Sequence, residues 1–249
     1  MLSSFTLAAL DLVFPALCPV CETPLGAGRR DPLCGTCWQA ITRLGVPTCG
    51  VCGAAPATRA PLAAPAPRIV QTCGTCSASP PPYDYARSAA LYAGELREAL
   101  HALKFAGRRA LAAPLADLAA EQCAATLPDG IDAVIPVPLA RERERARGFN
   151  QSALLARRIG RRLEVPTRPG WLARIRSTRP QSDLSAAERR ANVRGAFRAS
   201  PLVAGRHLLL VDDVLTTGAT LEACAQALGA AGARRVGVLT VARVVHAAV

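Results

Sequence analysis

One stretch, Leu208-Leu-Leu-Val-Asp-Asp-Val-Leu-Thr-Thr-Gly-Ala-Thr-Leu221, limits what this chain can become. Leu208 to Val211 are all apolar, the signature of a strand buried on both faces. Asp212 and Asp213 are expected to end that strand. A turn of Thr216, Thr217 and Gly218 follows, and an Ala/Leu-rich run then opens at helical spacing. A strand, two acids, a hydroxyl-and-glycine turn and a helix N-terminus make a cradle for a sugar phosphate. The N–H groups of the turn point at the phosphate, and the helix dipole favours its charge. Thr216, Thr217 and Thr220 add hydroxyl donors, and Gly218 lets the backbone come close. Asp212 and Asp213 stand where ribose hydroxyls would donate to them. The plainer alternative is an ordinary strand-to-helix turn with two solvated acids.

The cysteines constrain the front of the chain. Eight of the ten fall into C-x-x-C pairs: Cys18/Cys21, Cys34/Cys37, Cys49/Cys52 and Cys73/Cys76. Paired spacings of this kind read as tetrahedral thiolate sites for Zn²⁺. Two structural zinc ions are the economical count. A sequential pairing places Cys18, Cys21, Cys34 and Cys37 on one ion and Cys49, Cys52, Cys73 and Cys76 on the other. An interleaved pairing, first pair with third and second with fourth, is also compatible with the spacing. The module has too little apolar content for a core of its own, so zinc must supply its folding energy. Cys123 and Cys224 stand alone in apolar helical runs and read as buried small hydrophobes.

Composition narrows the partners. The formal net charge is +12, and Lys104 is the only lysine beside an excess of arginine. The Arg-rich, Ala-rich bias discounts the basic balance as evidence for nucleic acid, yet still permits phosphorylated metabolites, DNA or RNA. Aromatics are 4% of the chain, which counts against stacking along a single strand. No stretch is long enough to span a membrane. The apolar start carries Asp11 and lacks a basic leader, so no secretory signal is expected. Reduced thiolates point to the cytoplasm.

Three parts are expected. Residues 1–15 form a short N-terminal helix, 16–80 a double zinc ribbon, and 81–249 an α/β domain. Pro61 to Pro67 form an insertion within the ribbon, and Pro80-Pro-Pro82 marks the boundary. In the α/β domain, strands are expected at Tyr83–Leu91, Ile131–Val137, Trp171–Ile175, His207–Asp212 and Arg235–Ala242. Helices are expected at Glu95–Phe105, 110–125, from Asn150 to about Leu163, at Ser185 onward, and at Thr217–Leu228. Ser185 and Glu188 make a capping box. Continuous apolar strands alternating with helices imply a parallel sheet covered on both faces. Pro136-Val-Pro138 fixes a rigid loop at the carboxyl end of a strand, where α/β sheets place ligands. The alternating charges of Arg141–Arg147 read either as a solvated helix or, because Arg145 and Arg147 precede a Gly turn and a helix N-terminus, as an anion site. Lys104 is either a solvated helix-end cation or a member of the site. Thr178 to Leu184 reads as a polar lid with basic neighbours.

The stretch Leu210–Thr220 resembles the phosphoribosyl pyrophosphate (PRPP) loop of type I phosphoribosyltransferases. With the cysteine pairs, Pro136-Val-Pro138, Arg147-Gly-Phe-Asn-Gln151 and Arg190-Ala-Asn-Val-Arg-Gly-Ala-Phe197, the whole chain resembles the ComF family. Those competence-associated proteins carry a zinc-binding front before a phosphoribosyltransferase-like domain. The insertion between Cys52 and Cys73 is longer than that family's pattern.

The resemblance implies a role for each matching residue. Asp212 and Asp213 hold the ribose hydroxyls. Leu215, Thr216, Thr217, Gly218, Ala219 and Thr220 form the loop that cradles the 5′-phosphate. Val137, Pro138 and Arg147 face the pyrophosphate. Gln181 lies in the mobile loop. Mg²⁺ accompanies PRPP, and Arg147 and Lys104 are the candidates for meeting the charge of the departing pyrophosphate. The acceptor is not named by any residue. Sensing PRPP without turnover is one alternative. Another is binding of single-stranded DNA, or of competence proteins, through the zinc ribbons and the Arg-rich surface.

Overall fold

A computed structural model of the chain describes residues 16–25, 31–45, 49–54, 72–176 and 186–245. The expected N-terminal helix, the Pro61–Pro67 insertion, the lid segment with Gln181, and Ser185 of the capping box lie outside the described residues. The ordered elements begin with two short helices, α1 (Gly35–Ala40) and α2 (Gly74–Ala78), each with a cysteine at its N-cap position. Then come β1 (Tyr85–Leu91), α3 (Gly94–Phe105), α4 (Ala112–Cys123), β2 (Ala133–Pro136), α5 (Arg141–Arg147) and α6 (Gln151–Arg162). After these come β3 (Leu172–Arg174), α7 (Ala186–Val193), β4 (Phe197–Ala199), β5 (His207–Leu215), α8 (Ala219–Ala230) and β6 (Arg235–Arg243).

The main sheet is wholly parallel, in the order β1-β6-β5-β2. Alternation along β5 divides the core. Leu209 and Val211 face α3, α4 and α6, while Leu208 and Leu210 face α8. Helix α3 buries Leu96, Ala99, Leu100 and Leu103, the stripe its spacing predicts. At the foot of the sheet the Tyr85 hydroxyl lies 2.9 Å from His207 Nε2, and His207 Nδ1 lies 3.1 Å from the Gly130 carbonyl. Nδ1 therefore donates to the carbonyl, and Nε2 accepts from the tyrosine. Glycine is required beneath this pair, because a Cβ at Gly237 would come within 2.1 Å of the Tyr85 ring.

Two expectations need correction. Strand β5 does not end at the acids. Val214 and Leu215 continue its pairing with β6, with Leu215 opposite Arg243, so α8 starts at Ala219 rather than Thr217. The second concerns Phe197–Ala199. This short strand was not expected, and it pairs antiparallel with β3. Three residues are too few to show a period.

The cysteine segment is built into the sheet's outer edge. Leu91 N donates to the Thr42 carbonyl at 2.9 Å and Leu44 N to the Ala89 carbonyl at 2.8 Å, so residues 42–44 lie antiparallel along β1. Further down, Ala86 N donates to the Val51 carbonyl at 2.6 Å. Cys18, Leu33, Cys34, Cys37 and Ile41 join the core on the α3 face, while Val51 packs against the core on the α8 face. The two cysteine groups thus straddle the edge of β1. Pairing of this kind removes an exposed edge strand. The segment has no core of its own because it borrows one.

Candidate functional site

The carboxyl ends of β2 and β5 open into one cleft of about 210 Å³. Asp212 and Asp213 form its floor. Asp212 Oδ1 accepts from Ser152 Oγ at 2.6 Å and from the Asp213 backbone N–H at 2.9 Å. Burial, and then the neighbouring Asp213 charge, push the Asp212 carboxyl up to about 7. Asp213 is ion-paired with Lys104, which reaches in from the last turn of α3. Burial alone would lower the Lys104 ammonium. The charges of Asp213 and then Asp212 outweigh that cost and hold it above the ordinary lysine value. The lone lysine is therefore a member of the cleft, not a solvated helix-end cation.

One wall is the turn that opens α8. Thr216, Thr217, Gly218, Ala219 and Thr220 all line the cleft. Gly218 caps the helix at φ +81°, in the left-handed region where glycine carries no penalty. Leu215 does not line the cleft. It is buried beneath the turn, 3.7 Å from where a Cβ at Gly218 would sit.

The facing wall is the loop after β2, with Val137, Pro138 and Leu139. Asn150 sets its position. Its Nδ2 donates to the Val137 carbonyl at 3.0 Å, and its Oδ1 accepts from Ser152 N at 2.9 Å as the N-cap of α6. Arg147 does not line the cleft. It donates to Gln151 Oε1, and Gln151 lines the cleft in its place. Among the described residues, the arginines that line the cleft are Arg143 of α5 and Arg174 of β3. Sequence reasoning placed neither of them, nor Gln151 and Ser152, in the site. For Asn150, Gln151 and Ser152 the available signal was their position in the first turn of a helix behind a Gly turn. For Arg174 the strand was expected, within Trp171–Ile175, but nothing in it pointed to the cleft.

At the front, the sulfurs of Cys18, Cys21, Cys34 and Cys37 lie within 4.8 Å of one another, and so do those of Cys49, Cys52, Cys73 and Cys76. The structure therefore groups the cysteines sequentially. A Zn–S bond of about 2.3 Å places tetrahedral sulfurs about 3.8 Å apart. Cys21 and Cys34 stand 3.5 Å apart and Cys52 and Cys73 3.8 Å, which fits structural Zn²⁺ at both clusters.

Comparison with known proteins agrees with this architecture. Residues 9–77 match the double zinc ribbon domain, and residues 149–248 match the phosphoribosyl transferase domain. DNA utilization protein YhgH of Shigella flexneri is 38% identical over 239 residues, covering 93% of this chain and 99% of that protein. YhgH of Escherichia coli strain K12 is 37% identical over 239 residues with the same coverage. Competence protein ComFC of Bacillus subtilis strain 168 is 31% identical over 142 residues, 57% of each chain. The fold and the cleft define a type I phosphoribosyltransferase-like domain behind a double zinc ribbon. The chain belongs to the ComF family. No helix among the described residues is long and apolar enough to cross a membrane.

Proposed function

We propose that the cleft binds PRPP and that the protein transfers its phosphoribosyl group to an acceptor. The observation that carries this reading is the meeting of two walls on one floor. Acids and a hydroxyl–glycine turn form one side, and the Val137–Leu139 loop with Arg143 and Arg174 forms the other. Asp212 and Asp213 accept from the ribose hydroxyls. The turn from Thr216 to Thr220 takes the 5′-phosphate at the N-terminus of α8. Val137 and Pro138 face the pyrophosphate, and Arg143 and Arg174 meet its charge. Arg147 acts as a positioning residue through Gln151. Lys104 acts through Asp213, fixing the carboxylate that the ribose needs.

The carboxylates of Asp212 and Asp213 are hard oxygen donors that would suit a Mg²⁺ ion carried by PRPP, and that ion would supply neutralisation of phosphate charge. During transfer the bond from the anomeric carbon to pyrophosphate breaks as the acceptor attacks. The protein's contribution is positioning and fixed positive charge at the departing group. Calorimetric titration of PRPP with Mg²⁺ tests the assignment. Wild type is expected to bind, and the double variant Asp212→Ala, Asp213→Ala to lose at least roughly a hundredfold in affinity, the loss of two charge-assisted contacts. Equal affinity in the two proteins would remove the site.

A second reading is favoured by a separate surface and by the relatives' names, which concern DNA utilization and competence. Where β5 begins, at the opposite end of the sheet from the cleft, the guanidinium of Arg206 lies 5.1 Å from the Trp171 ring centre and that of Arg168 5.8 Å. An aromatic ring interleaved with arginine suits single-stranded DNA, with the zinc ribbons as a second contact. A salt titration of oligonucleotide binding to wild type and Trp171→Ala tests it. No salt-dependent affinity in wild type rejects this reading.

A further inference from the structure

The second cysteine cluster is tied to the end of the sheet from which the turn at Thr216–Thr220 springs. Arg243 closes β6, and its Nη1 donates to the Cys52 carbonyl at 2.7 Å. Its Nε is buried and finds no hydrogen-bond partner among the described residues. The guanidinium therefore leans on the carbonyl of a cluster cysteine. In the ladder Arg243 lies opposite Leu91 of β1 and Leu215 of β5. The rung is completed by Val244 N, which donates to the Leu215 carbonyl at 2.9 Å. Leu215 is the last residue of β5, and its Cδ1 lies 3.7 Å from where a Cβ at Gly218 would sit.

A second path runs through Tyr83. Its ring is buried in the same core as Leu215 and Ala219. Its phenol lies within range of the charges of Cys52, Glu222, Cys76 and Arg243. Glu222 N in turn donates to the Gly218 carbonyl at 2.8 Å and starts α8. The first cluster makes a different contact, since Cys18, Cys34 and Cys37 join the core on the α3 face.

Four thiolates on one ion fix the knuckle from Cys49 to Cys52, and with it the Cys52 carbonyl. If the knuckle loosens, Arg243 keeps a buried guanidinium short of acceptors, which is costly. Its release to water disturbs the last rung between β6 and β5. A turn that must first be ordered binds an anion more weakly than one already in place.

Building on the phosphoribosyl reading above, we infer that Arg243 is a positioning residue through which the metallated second cluster sets the turn from Thr216 to Thr220. A metal ion at that cluster and a sugar phosphate in the cleft then raise each other's affinity, because such coupling is reciprocal. The cleft thereby responds to the metal state of the second cluster and not to that of the first.

The test measures Zn²⁺ affinity by competition with a chromophoric chelator, with and without saturating ribose 5-phosphate. In wild type, one zinc ion is expected to bind roughly five-fold or more tightly when the sugar phosphate is present. Cys18→Ser with Cys34→Ser, left with the second cluster, keeps that factor. In Arg243→Met the factor falls toward one, and in Arg243→Lys, which retains a donor, part of it returns. A merely structural role for Arg243 would lower Zn²⁺ affinity equally with and without the ligand and leave the factor in place. Wild type that binds ribose 5-phosphate with no change in Zn²⁺ affinity overturns the coupling and leaves the PRPP reading standing. A factor that survives in Arg243→Met, or vanishes in the Cys18, Cys34 variant, also overturns it. The wild-type and cysteine arms need no change at Arg243, so they decide the coupling even where that variant does not fold. Failure of wild type to bind either PRPP or ribose 5-phosphate overturns both readings.

Discussion

Lys104 reaches from the last turn of α3 to the Asp213 carboxylate, and the contact is nearly dry, with side-chain exposures of 17% and 5%. Removing the ammonium would strand a buried charge. Lys104→Met is therefore expected to cost about 3 kcal/mol of stability in urea denaturation. The double variant Lys104→Met, Asp213→Asn should recover most of that loss, because no charge is left unpaired. A loss under about 1 kcal/mol in the single variant would place the pair among solvated surface bridges instead.

Asp212 gives a prediction in pH. Its carboxyl is raised from 3.8 to about 7 in the folded protein. Between those values the folded chain holds a proton that the unfolded chain has released. The stabilising contribution is complete below the unfolded value and is lost as pH rises through the folded one. The stability of wild type minus that of Asp212→Asn is thus expected to fall between about pH 4 and about pH 7. Subtracting the variant removes effects common to both proteins, including acid release of zinc. A flat difference over that range would contradict the raised carboxyl.

Asn150 makes one bond to its own helix and one across to the Val137 carbonyl. Asn150→Ala is expected to lose about 1 kcal/mol from the cap and to free the Val137–Leu139 loop. Asn150→Asp keeps the cap acceptor but has no N–H for Val137. If the loop contact matters, both variants weaken binding of inorganic pyrophosphate, while only the alanine lowers the thermal midpoint by the cap's share. Unchanged pyrophosphate affinity in both variants would confine Asn150 to capping.

Metal analysis tests the zinc grouping. Wild type is expected to carry two zinc ions per chain, one for each four-cysteine cluster. Cys18→Ser and the double Cys18→Ser, Cys34→Ser should both retain one, whereas Cys18→Ser with Cys49→Ser should retain none. Chelation should also uncover the β1 edge and promote association, seen as a rise in light scattering. Loss of both ions from the Cys18, Cys34 double variant would favour the interleaved pairing.

The sequence is most legible where one physical demand dominates. Leu208–Val211 had to be buried on both faces, and the strand is there. The stripe Leu96, Ala99, Leu100, Leu103 had to face a core, and it does. The reading failed where partners decide. Val214 and Leu215 remain in the strand because Ala242 and Arg243 pair with them, and two acids do not break a ladder. Arg174 reaches the cleft because β4 holds β3 in place. Arg147 and Arg143 lie one helical turn apart on α5, and composition gave no means of deciding which lines the cleft. Lys104 stood out only because it has no lysine companions. Its partner, Asp213, could be found only in three dimensions.

The strand order carries a consequence for how the chain assembles. Strand β6 sits between β1 and β5, so Tyr85 lies beside Gly237, a partner 152 positions later. The cysteine segment leans on β1, and β1 has no sheet to belong to until β6 arrives. During synthesis the zinc-bearing segment therefore emerges before β6 and docks only after it. Contacts this distant in sequence slow folding and prolong the exposure of unpaired strands. Until then metal binding is a source of order that the two cysteine clusters hold between themselves.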